Sequence, residues 1–141
     1  MTTEVERDFA RIAVLWDENY VASAVDVAIA TGRTGVRKSS MKLGPYNGFA
    51  GEMRLVADFK IKVAIKLGLI PKPAACSICG ITEGRIDYHA EDYGRPFQVA
   101  AICMSCHLRL HNRHRSTGYM TSWRKLLEQH GNGQEWFDKL H

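Results

Sequence analysis

Two C-x-x-C pairs, Cys76/Cys79 and Cys103/Cys106, use all four cysteines of the chain. A C-x-x-C turn presents two sulfurs to one side of a metal, so two such pairs supply the four thiolates of a closed, tetrahedral zinc site. The competing chemistry is oxidation. Two C-x-x-C disulfides would close very short loops and constrain the chain little, and a redox motif needs only one pair. The spacing therefore favours structural Zn2+. Three histidines accompany the pairs: His89 in the intervening segment (positions 80 to 102), His107 directly after Cys106, and His111. Three imidazoles brought together would form an open metal site of the catalytic type, distinct from the closed four-cysteine site. Taken singly, His107 could cap a helix and His111 could lie on a solvated face. It is their joint placement beside a zinc knuckle that points to a metal. His114, His130 and His141 lack that setting and read as surface residues.

The elements that must position these groups follow from local patterning. The run CMSCHLRLHNRH reads as a helix beginning at the second knuckle, which puts His107 and His111 at i and i+4 on one face. Short apolar runs around Ile86 and Tyr88 and from Phe97 to Ile102 are separated by Gly84, Gly94 and Pro96, a β-hairpin pattern. Hairpin plus helix, pinned by zinc, makes a ββα unit able to bring His89 over the His107/His111 face.

This order of knuckle, histidine-bearing strand, D-Y-x-x-P, apolar strand and I-C-x-x-C-H-x-x-x-H resembles the HNH (ββα-metal, His-Me finger) endonucleases, in the phage-type branch with a four-cysteine zinc site. The resemblance covers roughly Leu69 to Arg115 and is most specific at CMSCHLRLH. It implies a treble-clef-like module that binds DNA and hydrolyses phosphodiester bonds with a divalent ion, Mg2+ or Mn2+, with Zn2+ or Ni2+ also acceptable to imidazole. It further implies that His107 is a metal ligand, with His111 a second from the same helix. Relatives read H-H-x-D-Y where this chain reads His89-Ala90-Glu91-Asp92-Tyr93, so His89 falls on the metal ligand and Ala90 on the general base. The family's middle Asn corresponds to Gln98. A one-residue strand slip would instead put His89 on the base position and Tyr88 on the ligand position. Glu91, Asp92 or His114 could accept a proton from a shifted position. Asp92 and Tyr93 also read as turn formers before Pro96.

The rest of the chain bounds this reading. At 141 residues and 45% hydrophobic content it is one compact domain or a small domain with an extension. It has no apolar run of membrane-spanning length and no signal-peptide pattern at its N-terminus, and reduced cysteines on a metal agree with a cytoplasmic location. The net charge of +4 is unevenly spread: residues 1 to 30 sum to −4, residues 31 to 75 to +7, and the remainder to +1. The middle stretch is the expected footprint for a polyanion, through Arg37, Lys38, Lys42, Lys60, Lys62 and Lys66, continued by Arg109, Arg113 and Arg115 after the zinc knuckle. A solvated basic face is the bland alternative.

Val5, Phe9, Ile12, Trp16 and Tyr20 recur at helical spacing, an apolar stripe suited to a core or to a homodimer seam. Val21 to Ala30 continues as a second helical piece ending near Gly32. Residues 31–51 carry five glycines, a proline and four bases, which is loop chemistry suited to a DNA-backbone arm; a helix-turn-helix between residues 20 and 43 is the weaker alternative. Glu52 to Leu67 reads as a helix with Val56, Phe59, Val63 and Leu67 buried, Gly68 as its C′ residue and Pro71 and Pro73 beyond. Thr121 or Ser122 could cap a helix through His130, followed by a short turn whose Trp136, Phe137 and Leu140 dock on the body.

The expectation is an α+β protein: a mainly helical region (1–68), an HNH-like module (69–115) and a helical tail (116–141). The alternatives are a degenerate, non-cleaving DNA-binding scaffold and an adaptor that binds another protein.

Overall fold

The computed structural model describes residues 16–130. Six elements occur there: α1 (Glu18–Ala30), α2 (Gly51–Lys66), β1 (Ile86–Ala90), β2 (Val99–Cys103), α3 (Met104–Asn112) and α4 (Thr117–His130). The architecture is α+β, with helices preceding a β-β-α unit. Of the stripe expected at Val5, Phe9, Ile12, Trp16 and Tyr20, the first three lie outside the described residues, as does the turn bearing Trp136, Phe137 and Leu140. Trp16 is half-buried, and Tyr20 departs from the stripe at 67% exposure because it faces away from the Val21–Val25–Ala28 side of the helix. No described helix is long and apolar enough to cross a membrane. The described chain packs as two units, 16–72 with 90–99, and 73–89 with 100–130.

The first unit is built on α1 and α2. Asp17 caps α1, its Oδ1 accepting from the Asn19 and Tyr20 amides at 2.9 and 3.1 Å. Both helices end in the same way. Gly32 and Gly68 take positive φ, and the following amides return to carbonyls five residues back, Arg33 to Ala28 and Leu69 to Ala64. Val21, Val25 and Ala28 of α1 are buried, at i, i+4 and i+7, as are Ala57, Ile61 and Ala64 of α2, and the two helices pack together. Each buried Val or Ile contributes roughly 1.5–3 kcal/mol. The partly exposed Lys60–Asp26 pair, at 3.8 Å, is long for an ion pair and belongs to a class contributing about 0–1 kcal/mol. Packing, not charge, joins the helices.

The stripe expected on α2 needs correction. Of Val56, Phe59, Val63 and Leu67 only Val63 is buried, and Leu67 is 42% exposed. Leu67 is the C-cap, past the last helical turn, and small Ala57 and Ala64 permit the close approach that selects the neighbouring stripe. A helix-turn-helix within 20–43 is also absent, because residues 33–50 carry no helix. They form an irregular strap with a two-residue turn at Asn47 and Gly48, both at positive φ, closed by Tyr46–Phe49 backbone pairing.

The strap and helices hold segment 90–99. Tyr46 Oη donates to the Glu91 carboxylate at 3.0 and 3.1 Å, and Asn47 Nδ2 to the Glu91 carbonyl at 2.9 Å. Tyr93 meets Phe49 edge-on at 5.4 Å and accepts from Arg54 Nε at 3.3 Å. Arg95 forks onto Glu18 at 2.8 and 3.0 Å, and Trp16 Nε1 donates to the Phe97 carbonyl at 3.0 Å. Asp92 makes the expected turn, its Oδ1 accepting from Gly94 N at 2.8 Å, whereas Tyr93 serves packing.

Strands β1 and β2, all but Ala90 and Val99 in the second unit, form a two-stranded sheet, β2 buried throughout. Cys103 caps α3, whose Cys106 and Leu110 are buried, and α3 packs on α4 through Trp123, Leu126 and Leu127. Helix α4 begins at Thr117, earlier than a Thr121 or Ser122 cap implies, because Ser116 Oγ already accepts from the Tyr119 amide at 3.2 Å.

Gly51 tests the strap. A Cβ there would lie 1.7 Å from the Leu43 carbonyl oxygen, a backbone atom that cannot swing away. Helix propensity alone favours Gly51→Ala by up to about 1 kcal/mol. The clash outweighs it, so Gly51→Ala is expected to lower stability by about 1–3 kcal/mol, read as a lower urea midpoint. An unchanged or higher midpoint would refute the close approach.

Candidate metal centres

The four cysteines converge. Their sulfurs lie within 4.8 Å of one another, with Cys79 Sγ and Cys103 Sγ 3.8 Å apart. Zinc–sulfur bonds of about 2.3 Å in a tetrahedron give an S···S edge of about 3.8 Å, so the donor set and its spacing fit zinc. Backbone amides support the first sulfur of each pair: Ile78 N donates to Cys76 Sγ at 3.4 Å and Cys106 N to Cys103 Sγ at 3.5 Å. The knuckle is fastened to the sheet through Ser77 N, which donates to the Ala101 carbonyl at 2.8 Å.

The thiol acidities expose the electrostatic problem this cluster poses. A hydrogen bond from Cys106 holds the Cys76 thiol down at about 4, against the opposing effect of burial. Cys106 is correspondingly driven far up, first by that hydrogen bond and then by burial. Burial pushes Cys79 up to about 11. Sulfurs this close keep protons among themselves, and a divalent cation removes the need by offsetting the thiolate charge.

A second centre lies within the same unit. His89 Nδ1 is 3.0 Å from His107 Nε2, which is 2.8 Å from His111 Nε2, and all three nitrogens lie within 4.8 Å of one another. Metal–nitrogen bonds of about 2.0–2.1 Å give neighbouring N···N separations of about 3.0 Å at right angles and about 3.4 Å at tetrahedral angles. The two spacings to His107 fit neighbouring ligands at about right angles, and three protein donors are fewer than a divalent ion takes, which leaves further positions open. His89 is buried on β1, while His107 and His111 are half-buried on α3. Tyr88, the ligand in the slipped register, has its hydroxyl pushed up to about 12 by burial, which opposes metal binding. Ala90 is buried and offers only a methyl group.

The expected cationic residues divide sharply. Lys38 pairs with Glu52 at 2.7 Å, Lys60 with Asp26 at 3.8 Å and Lys62 with Asp58 at 2.8 Å. Arg37, Lys42 and Lys66 are exposed and have no ion-pair partner among the described residues. An open cavity of about 560 Å³ lies beside Lys38, Ser39, Ser40 and Lys42 at the start of α2. Arg113 must be removed from the phosphate-binding set. It is 2% exposed, and its guanidinium donates to the Leu110 carbonyl at 2.7 Å, closing the end of α3. Arg109 and Arg115 are exposed, with Arg115 lying 5.5 Å over the Tyr119 ring. Arg124 and Lys125, which the sequence reading passed over, are exposed on α4 and leave Glu128 as the one acid between residues 104 and 130. Counting acids per helix would have found them.

Comparison with family models, curated proteins and solved structures gives no match.

A zinc ion on the four cysteines would hold together the unit formed by residues 73–89 and 100–130. Its removal is then expected to unfold that unit, because apparent zinc affinities of about 10–16 kcal/mol equal or exceed whole-domain stabilities of about 5–15 kcal/mol. Each thiolate must shed a proton to bind, so affinity falls with pH. Acidification from pH 7 to pH 4 should release the cysteine-bound zinc to a chromophoric chelator, together with loss of near-ultraviolet circular dichroism from Trp123. Cys106→Ser should behave as the stripped protein does at pH 7. Retention of the native spectrum after complete stripping would refute a structural zinc.

Proposed function

We propose that this protein binds DNA and hydrolyses a phosphodiester bond with a divalent ion held by His89, His107 and His111, while Cys76, Cys79, Cys103 and Cys106 hold a structural zinc. The observation that carries the reading is the convergence of the three imidazole nitrogens, at 3.0 and 2.8 Å, beside a four-cysteine cluster on a β-β-α unit. The resemblance to the HNH endonucleases supports it, since the same residues fall on that family's metal positions. Residues 69–115 are then the module that carries both centres, flanked by 1–68 and 116–141.

A divalent ion held by His89, His107 and His111 would supply Lewis-acid chemistry to a phosphate and its attacking water. The chain's own contribution is charge and position. Neutral imidazoles leave the cation's charge uncancelled for an anionic substrate, and the buried His89 fixes the ligand set from the strand side. Arg109 and Arg115 lie on the same unit as phosphate contacts that add affinity without reading sequence. With no carboxylate in the donor set, Mn2+, Ni2+ or Zn2+ suits the site better than Mg2+, which demands oxygen ligands.

One observation favours a second reading, binding without cleavage. Ala90 cannot accept a proton at the position where the resembling family carries its general base. A base contributes about 10²–10⁴-fold, so its absence slows turnover without excluding it.

A supercoiled-plasmid assay with Mn2+, Ni2+ or Mg2+ decides between them. The expected result is slow nicking, abolished in His107→Ala and accelerated about 10²-fold or more in Ala90→His. Binding without nicking in the wild type, with nicking in Ala90→His, would establish the second reading. Absence of both binding and nicking would overturn DNA as the substrate.

A further inference from the structure

Helix α3 presents more than its two histidines. At about 100° per residue its faces follow in a fixed order. Cys106 and Leu110 point into the core, His107 and His111 form the adjoining stripe, and Met104 and Leu108 form the stripe after that. Met104 is 47% and Leu108 57% exposed, so an apolar edge borders the three-histidine centre directly. Beyond it lies exposed Arg109, and past the helix end Arg115 stands over the half-exposed Tyr119 ring at 5.5 Å. None of these cations has an ion-pair partner among the described residues. Water is an unfavourable neighbour for two large side chains placed side by side at i and i+4, and neither contributes to the core.

We propose that Met104 and Leu108 form an apolar wedge that enters DNA beside the phosphate at the three-histidine centre and unstacks one base step. The inference rests on the reading above and adds the substrate feature it selects: DNA that unstacks cheaply. Charge complementarity picks the occupant. Exposed Arg109 follows Leu108 on the next face of the helix, and exposed Arg115 lies just past its end. The unit that carries the apolar pair thus also carries cations without ion-pair partners among the described residues, which suits a polyanion whose base faces are apolar and whose backbone is charged. Leu and Met are wedge residues that open base steps at a cost met by the additional contacts. A step already weakened by a mismatch has less stacking to lose and binds more tightly.

The test uses the full-length, zinc-loaded protein and duplexes with 2-aminopurine, a base that brightens on unstacking, at a matched or a mismatched step. Fluorescence anisotropy gives affinity on the same samples. The expected result is brightening of the probe on binding and an affinity for the mismatched duplex about 10-fold above that for the matched one. In the double variant Met104→Ala/Leu108→Ala the brightening and the mismatch preference should both vanish, while the salt dependence stays as in the wild type. Arg109→Gln should do the reverse, lowering the salt slope by about one while brightening persists at saturation. Unchanged spectra of separately prepared cobalt-substituted samples show that the variants are folded. Binding without brightening, or brightening that survives the double variant, would overturn the wedge and leave DNA binding standing. A wild type that binds no duplex at any salt would overturn both. Self-association lost in Leu108→Glu would then make a second copy of the chain the occupant of that edge.

Discussion

The convergence of four sulfurs from two distant turns is the constraint on which the functional unit depends. Helix α3 has nine residues, below the roughly 12–15 needed for an isolated helix to persist in water. It is fixed at one end because Cys103 caps it and Cys106 lies in its first turn, and at the other because the Arg113 guanidinium closes on the Leu110 carbonyl. His107 and His111 take their positions from that anchoring. The same cluster ties the knuckle before the hairpin to the end of β2, which is how His89 on β1 reaches them. A metal-binding core thus replaces the hydrophobic mass that so small a unit lacks.

Around this anchor, the two centres divide their chemistry by ligand type. Four soft thiolates would close a tetrahedron around an ion and leave nothing for a substrate, whereas three imidazoles would leave coordination positions open. The separation is sharp although Cys106 and His107 are adjacent in sequence. On a helix, neighbouring residues point about 100° apart, so one faces the buried sulfurs and the other the half-exposed nitrogen cluster. The surface beyond that stripe then changes from apolar to cationic within one more turn.

The charge distribution shows why a sum over sequence misleads. Residues 31–75 carry the greatest positive excess, yet three of their lysines lie against Glu52, Asp26 and Asp58. Asp26 belongs to the acidic first stretch, and only the packing of α1 on α2 brings it beside Lys60. The 104–130 segment has fewer cations, but its exposed arginines meet a single acid. Partner choice, not charge count, decides where an anion would find unneutralised charge.

The sequence by itself determined the paired cysteines of the four-sulfur cluster, the hairpin, the histidine-bearing helix and the Gly32 and Gly68 helix ends. Each rests on spacing within one turn or one strand, where local geometry leaves little choice. Only the tertiary structure decided that His89 joins His107 and His111, because strand register depends on what the strand packs against. It alone buried Arg113, moved the packed stripe of α2 to Ala57, Ile61 and Ala64, and pressed the Leu43 carbonyl against Gly51. Those outcomes depend on contacts between residues far apart in the chain. A one-residue turn of a helix or slip of a strand reassigns such contacts without altering the local pattern from which the sequence is read.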